Sequence, residues 1–119
     1  MPPTRQSTAS LPLAPAVFHI LVAVADRERH GYAIMQDVAE RTGSKLSLGA
    51  GTLYRSIQRM LEQGLIAETR RRPAPELDDE RRRYYRITQF GASVARAETQ
   101  RLLQLVKLAR ASGFATEKA

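Results

Sequence analysis

Thr52, Tyr54, Arg55, Gln58 and Arg59 lie close together in one segment of the chain. Their side chains supply hydroxyls, an amide and two guanidinium forks, the groups that hydrogen-bond base edges and phosphate oxygens. Arg is the commonest reader of guanine, because its paired N–H groups match the two acceptors on that base. For such contacts the groups must share one face of a rigid element. Thr52 to Gln63 contains no Gly or Pro, so it reads as continuous helix, and Gly64 stops it by taking a left-handed C-cap. At about 100° per residue, Leu53, Ile57, Met60 and Leu61 form an apolar face. Arg55, Gln58, Arg59 and Glu62 lie opposite, with Thr52 beside them and Tyr54 and Ser56 on the flanks. A helix laid in a DNA major groove has this distribution, but so has a surface helix with an ordinary charged exterior.

The residues after Gly64 separate those readings. Leu65 to Arg72 is strand-like, Pro73 to Glu80 is a Pro- and acid-rich loop, and Arg81 to Ile87 is strand-like again. The pattern predicts a β-hairpin with a long tip. Arg70, Arg71 and Arg72 would stand across from Arg81, Arg82 and Arg83, with Arg86 further down. Like charges across a hairpin repel by some tenths of a kcal/mol per pair. A chain that keeps them has an anion to put there, unless Glu76, Asp78, Asp79 and Glu80 neutralise them internally. Phosphate contact is the expectation.

The remaining elements must hold these two in place. Residues 1–12 read as a disordered arm, the first ten being polar and Pro-rich. A first helix starts at Pro15, where the missing N–H costs nothing, and buries Val17, Ile20, Leu21 and Val24. Asp26 to Arg29 reads as a charged turn. His30 to Thr42 is a second helix closed by Gly43, with Ile34, Met35 and Val38 inward and Tyr32 as a core or cap residue. Lys45 to Leu48 alternates and is expected to be a short strand, with Lys45 joining the basic set. Thr88 caps a last helix over residues 89–111, and 112–119 read as a flexible tail. The second half of that helix is apolar on more than one side, more than so small a chain can cover. It asks for an identical helix across a two-fold axis.

Composition narrows the function classes. The 119 residues allow one domain with a modest core, and the net charge of +7 points to a polyanionic partner. Three Lys against sixteen Arg suits bidentate pairing with phosphate, although a GC-rich genome would give the same skew. Without cysteine there is no disulfide framework or thiolate metal site, and His19 and His30 read as structural rather than as ligands. The acids cluster in a polar loop, no nucleophile–base pair is apparent, and Gly49-Ala-Gly51 is too short for a dinucleotide fingerprint, so an enzyme is not expected. The longest apolar run, Ile20 to Ala25, is too short to span a bilayer, and Met1 to Ser10 lacks the apolar stretch of a signal peptide. A cytoplasmic location without membrane contact is the expectation.

Helix, helix, short strand, helix, hairpin, long helix adds up to a mainly α chain with a small β-hairpin: a winged helix-turn-helix over 13–88 plus a C-terminal dimerisation helix over 89–111. The third helix is then the groove reader and the hairpin the wing. The residues also resemble those of the PadR-like transcriptional regulators. The resemblance rests on His30-Gly31-Tyr32, on Gly51-Thr52-Leu53-Tyr54-Arg55, on Leu61-Glu62-Gln63-Gly64-Leu65-Ile66, and on Arg82 to Thr88 running into Gly91. It covers roughly residues 13–110 and is similar to the short-tailed branch, whose members dimerise through the last helix. What it implies is a homodimeric repressor that holds an inverted-repeat operator in double-stranded DNA and leaves it when a small hydrophobic or phenolic effector binds. No other cofactor is implied. By the resemblance Thr52, Tyr54 and Arg55 contact DNA from the recognition helix, and the wing arginines contact the backbone or minor groove. Some short-tailed relatives stack flat drugs between tryptophans at the dimer interface, a device this Trp-free chain lacks. The walls of any effector pocket would be Val17, Phe18 and Leu21 with Leu102, Leu105 and Val106. Leu108 and Ala109 extend the dimer surface, and these residues serve equally well in packing the dimer alone. The competing reading is a winged-helix adaptor that docks a different protein through its apolar tail.

Overall fold

The computed structural model describes residues 11–69 and 83–115. In chain order the elements are α1 (Pro15–Ala23), β1 (Arg29–His30), α2 (Gly31–Arg41), α3 (Ala50–Gln63), β2 (Ile66–Glu68), β3 (Tyr84–Ile87) and α4 (Gln89–Ala111). The three strands form an antiparallel sheet in the order β1-β3-β2. Ile66 pairs with Ile87 and Glu68 with Tyr85 on one edge of β3, while Arg29 pairs with Tyr85 and His30 with Tyr84 on the other.

Local sequence explains most boundaries. Pro15 opens α1 without losing a hydrogen bond. His30 caps α2, its Nδ1 accepting from the Ala33 N–H at 3.0 Å. Gly64 ends α3 at φ 80°, and the Leu65 N–H returns to the Met60 carbonyl at 2.9 Å. Thr88 caps α4 as expected, accepting from the Gly91 N–H at 2.9 Å. The same hydroxyl lies 2.6 Å from the Gly64 carbonyl and 3.0 Å from that of Leu65, so it joins the end of α3 to the start of α4. Gly91 permits that junction, since a Cβ there would overlap the Leu65 carbonyl oxygen.

The core draws on every layer. Ile20 and Leu21 of α1 meet Ile34 and Val38 of α2, Leu53, Ile57 and Met60 of α3, Ile66 and Tyr85 of the sheet, and Val94 of α4. Leu11 and Leu13 pack against it from the segment before α1, so Leu11 does not behave as part of a free arm.

Two expectations need correction. Lys45 to Leu48 is not a strand; it is the extended lead-in to α3. The Thr42 hydroxyl accepts from the Leu46 N–H at 3.1 Å and lies 3.2 Å from the Leu46 carbonyl, tying this segment to the end of α2 rather than to a sheet. The third strand is instead Arg29–His30, at the end of what reads as a charged turn. Two residues are too few for alternation to register. In addition, α3 begins two residues earlier than its helix-forming residues suggest, taking Gly51 into its first turn. The outer hairpin, with Arg70, Arg71, Arg72, Arg81, Arg82 and the acidic loop, lies outside the described residues, as do the first ten residues and the last four.

Candidate nucleic-acid interface

Burial of Leu53, Ile57 and Met60 fixes the rotation of α3 and turns Thr52, Arg55, Gln58, Arg59 and Glu62 to the outside. Arg55 Nη2 lies 3.5 Å from Thr52 Oγ1, and Gln58 donates to Glu62 at 3.3 Å. Among the described residues neither Arg55 nor Arg59 has a carboxylate partner. Both line a shallow groove of about 200 Å³ with Thr52, Ser56 and, from the start of α1, Ala14 and Val17.

Arg29 of β1 and Arg41 of α2 are different. Asp37 accepts from Arg41 Nε at 2.6 Å and lies 3.6 Å from Arg29, whose Nε also donates to the Ala23 carbonyl at 2.6 Å. The Asp37 carboxylate, hydrogen-bonded to it, pushes the Arg41 guanidinium up from its ordinary value. These arginines brace α1, β1 and α2 against one another.

Lys45 is exposed just beyond the α2–α3 turn. That turn is made by two consecutive left-handed residues, Gly43 at φ 60° and Ser44 at φ 65°, and Ser44 N–H donates to the Ala39 carbonyl at 2.7 Å. Arg83 is half-buried 3.9 Å from Glu68 across the base of the hairpin, and Arg86 is exposed on β3.

Tyr54 does not join the outward set. Its hydroxyl is buried, and a Cβ on Gly31 would lie 2.6 Å from that oxygen. Gly31 opens α2, so the Tyr54 ring fills a close approach between α2 and α3. Tyr32, next in sequence, is 50 % exposed.

The residues read as effector walls do not share one cavity. Val17 lines the α3 groove. Leu21, almost fully buried, forms with Phe18 part of the wall of a hollow against α4. Phe18 does meet α4: with Leu102 it lines a cleft of about 240 Å³ completed by Leu13, Pro15, His19, Glu98 and Arg101. That neighbouring hollow, of about 250 Å³, runs from Phe18, Leu21 and Val22 to Ala92, Ala95 and Thr99. Leu105 (49 % exposed), Val106 and Leu108 (54 %) project beyond both, as does Leu103, while Ala109 is half-buried.

One residue escaped the sequence reading. Glu98 is only 2 % exposed. It receives Arg101 Nε at 2.6 Å and Nη2 at 2.8 Å, and the Leu13 N–H at 3.3 Å. The Arg101 hydrogen bonds hold its carboxyl below the usual carboxylate range against the opposing effect of burial. The signal was present in its place on the stripe of Val94 and Leu102, with Arg101 three residues on. No group among the described residues is arranged to hold a metal ion, and no described helix is long and apolar enough to cross a membrane.

Known proteins share this arrangement. The model of the transcriptional regulator PadR-like family matches residues 20–97. An uncharacterised protein of Lysinibacillus sphaericus is 35 % identical over 72 residues, 60 % of this chain and 63 % of that protein's length. A PadR family transcription regulator of Clostridium difficile superposes with a TM-score of 0.67 at 26 % identity, covering 82 % of this chain and 96 % of that one. PadR of Bacillus subtilis, solved in complex with operator DNA, superposes with a TM-score of 0.62 at 20 % identity over 72 % of this chain and 47 % of its own.

Proposed function

The chain belongs to the PadR-like family of transcriptional regulators, DNA-binding proteins that are not enzymes, and on that premise we propose that it is a cytoplasmic, effector-responsive repressor. In this reading a homodimer joined through α4 grips an inverted-repeat operator, one α3 in each of two successive major grooves. The observation that carries it is the outward face of α3, where Arg55 and Arg59 stand without carboxylate partners among the described residues. Thr52, Gln58 and Lys45 extend that face, whereas Tyr54 serves packing. Arg70, Arg71, Arg72, Arg81, Arg82 and Arg83 hold the flanking backbone.

Each protomer brings a net charge of +7. With six to ten phosphates met per dimer, affinity falls by about 10³ to 10⁵ between 50 and 200 mM salt. A small hydrophobic or phenolic effector in the cleft between Phe18 and Leu102 would shift α4 against α1 and move the two α3 helices apart or together.

Selection of fragments from random DNA by the purified protein, paired with a sizing run, tests the core of this reading. The expected product is an inverted repeat with half-site centres about 10 to 10.5 bp apart, bound by a dimer. Unenriched fragments, or a monomer that does not associate, would remove it.

A further inference from the structure

We propose that Glu98 is a positioning residue that sets the distance between the two recognition helices, and hence the half-site spacing the protein accepts. The inference rests on the dimeric reading above. The fully buried positions of α4 are Gly91, Val94 and Glu98. Arg101 and Leu102 are half-buried, and Leu103 to Leu108 are exposed. Glu98 is therefore the last fully buried position of α4, and only half-buried Arg101 and Leu102 follow it against the α1 segment before the helix runs free.

What fixes it there is directional. Leu13 N–H, from the lead-in to α1, donates to the same carboxylate that Arg101 grips through two nitrogens. The next residue, Ala14, already lines the groove that holds Arg55 and Arg59. A short path thus joins this clamp contact on α4 to the proposed reading face of α3. An apolar residue would fill this position with no loss of burial, and buried ion pairs are often no more stabilising than such a replacement. Here Arg101, on the same helix, aims the carboxylate, and the Leu13 N–H is the bond that crosses from α4 to the lead-in of α1 and makes the contact directional.

That directional contact has leverage. From Glu98 to the end of α4 at Ala111 the helix runs about 20 Å at 1.5 Å per residue. A tilt of about 10° at the clamp displaces the far end by about 3.5 Å, close to the rise of about 3.4 Å per base pair. With the clamp intact, a dimer built on the far half of α4 presents its two α3 helices at one separation. With the clamp loosened, neighbouring spacings become accessible, because bivalent affinity is sharply peaked only when the connection is stiff.

The test uses the full-length wild type, Glu98→Gln and Arg101→Gln, the last at a half-exposed position that folding tolerates. Affinity is measured for duplexes carrying two copies of the selected half-site with centres moved apart or together by single base pairs. Dimer dissociation and binding to one half-site are measured alongside. The wild type is expected to prefer one spacing by about tenfold or more, and the variants to bind adjacent spacings within about threefold of one another. Dimerisation and single-half-site affinity should be unchanged. Variants that retain the wild-type preference, or that lose affinity equally at every spacing, would overturn the role of Glu98 and leave the dimer standing. A wild type that is monomeric, or indifferent to spacing, would overturn both.

Discussion

The outward face of α3 and the far half of α4 are both exposed, yet they are unsatisfied in opposite ways. On α3 the core contacts are complete and the leftover chemistry is cationic and polar: Thr52, Arg55, Gln58 and Arg59. On α4 the leftover chemistry is apolar, with Leu103, Leu105, Val106 and Leu108 between 41 and 56 % exposed. One surface calls for a polyanion and grows weaker with salt; the other calls for apolar area and does not. A comparison within the helix-turn-helix makes the same point. Arg29 and Arg41 are engaged by Asp37, whereas Arg55 and Arg59 are not engaged by any described carboxylate. Availability, rather than the number of arginines, is what singles out the proposed binding face.

The contrast can be broken from either side. The largest effect is expected from Leu105→Glu with Leu108→Glu, which puts charge into the apolar surface. Sedimentation should give a monomer, and operator affinity should fall by about 10² to 10⁴ as bivalency is lost. Melting of the DNA-binding body should not change. Gly91→Ala acts where the two regions join: its Cβ meets the Leu65 carbonyl and should destabilise the fold by about 1–3 kcal/mol in chemical denaturation. Both activities would then decline together.

Arg55→Ala and Arg59→Ala should each weaken operator binding by about 1–3 kcal/mol and relax preference at one base position, with the dimer intact. Equal weakening on random DNA would instead assign them to the phosphates. The smallest effect concerns pH. The Glu98 carboxyl is held below its ordinary range, so its contribution is present above about pH 4.3 and is lost as pH falls through the lower folded value. Glu98→Gln should therefore be less stable than wild type at pH 7, by about 1 kcal/mol, and the gap should close under acid.

Much of the helical frame was legible because helices report themselves over many residues. Gly64 as a stop, Thr88 as a cap and the apolar repeat of α3 are short-range facts, and each took the expected form. The small sheet was not legible in the same way. Arg29–His30 becomes a strand only because the free edge of β3 lies beside it, while Lys45 to Leu48 alternates without an edge to join. Tyr54 and Val17 illustrate a related point: periodicity assigns a side of a helix but does not say which neighbour occupies it. Tyr54 lies against Gly31, and Val17 lines the groove with Arg55 and Arg59.

The chain's own order of residues determined the class of fold, the rotation of the recognition helix and the presence of two unsatisfied surfaces, since each depends on composition and on spacing within a single helix. Tertiary structure alone decided which arginines are already engaged, which apolar residues of α1 reach α4, and that a carboxylate sits at their junction. Those outcomes depend on distances between segments as far apart as Leu13 and Glu98, and local pattern carries no information about such distances.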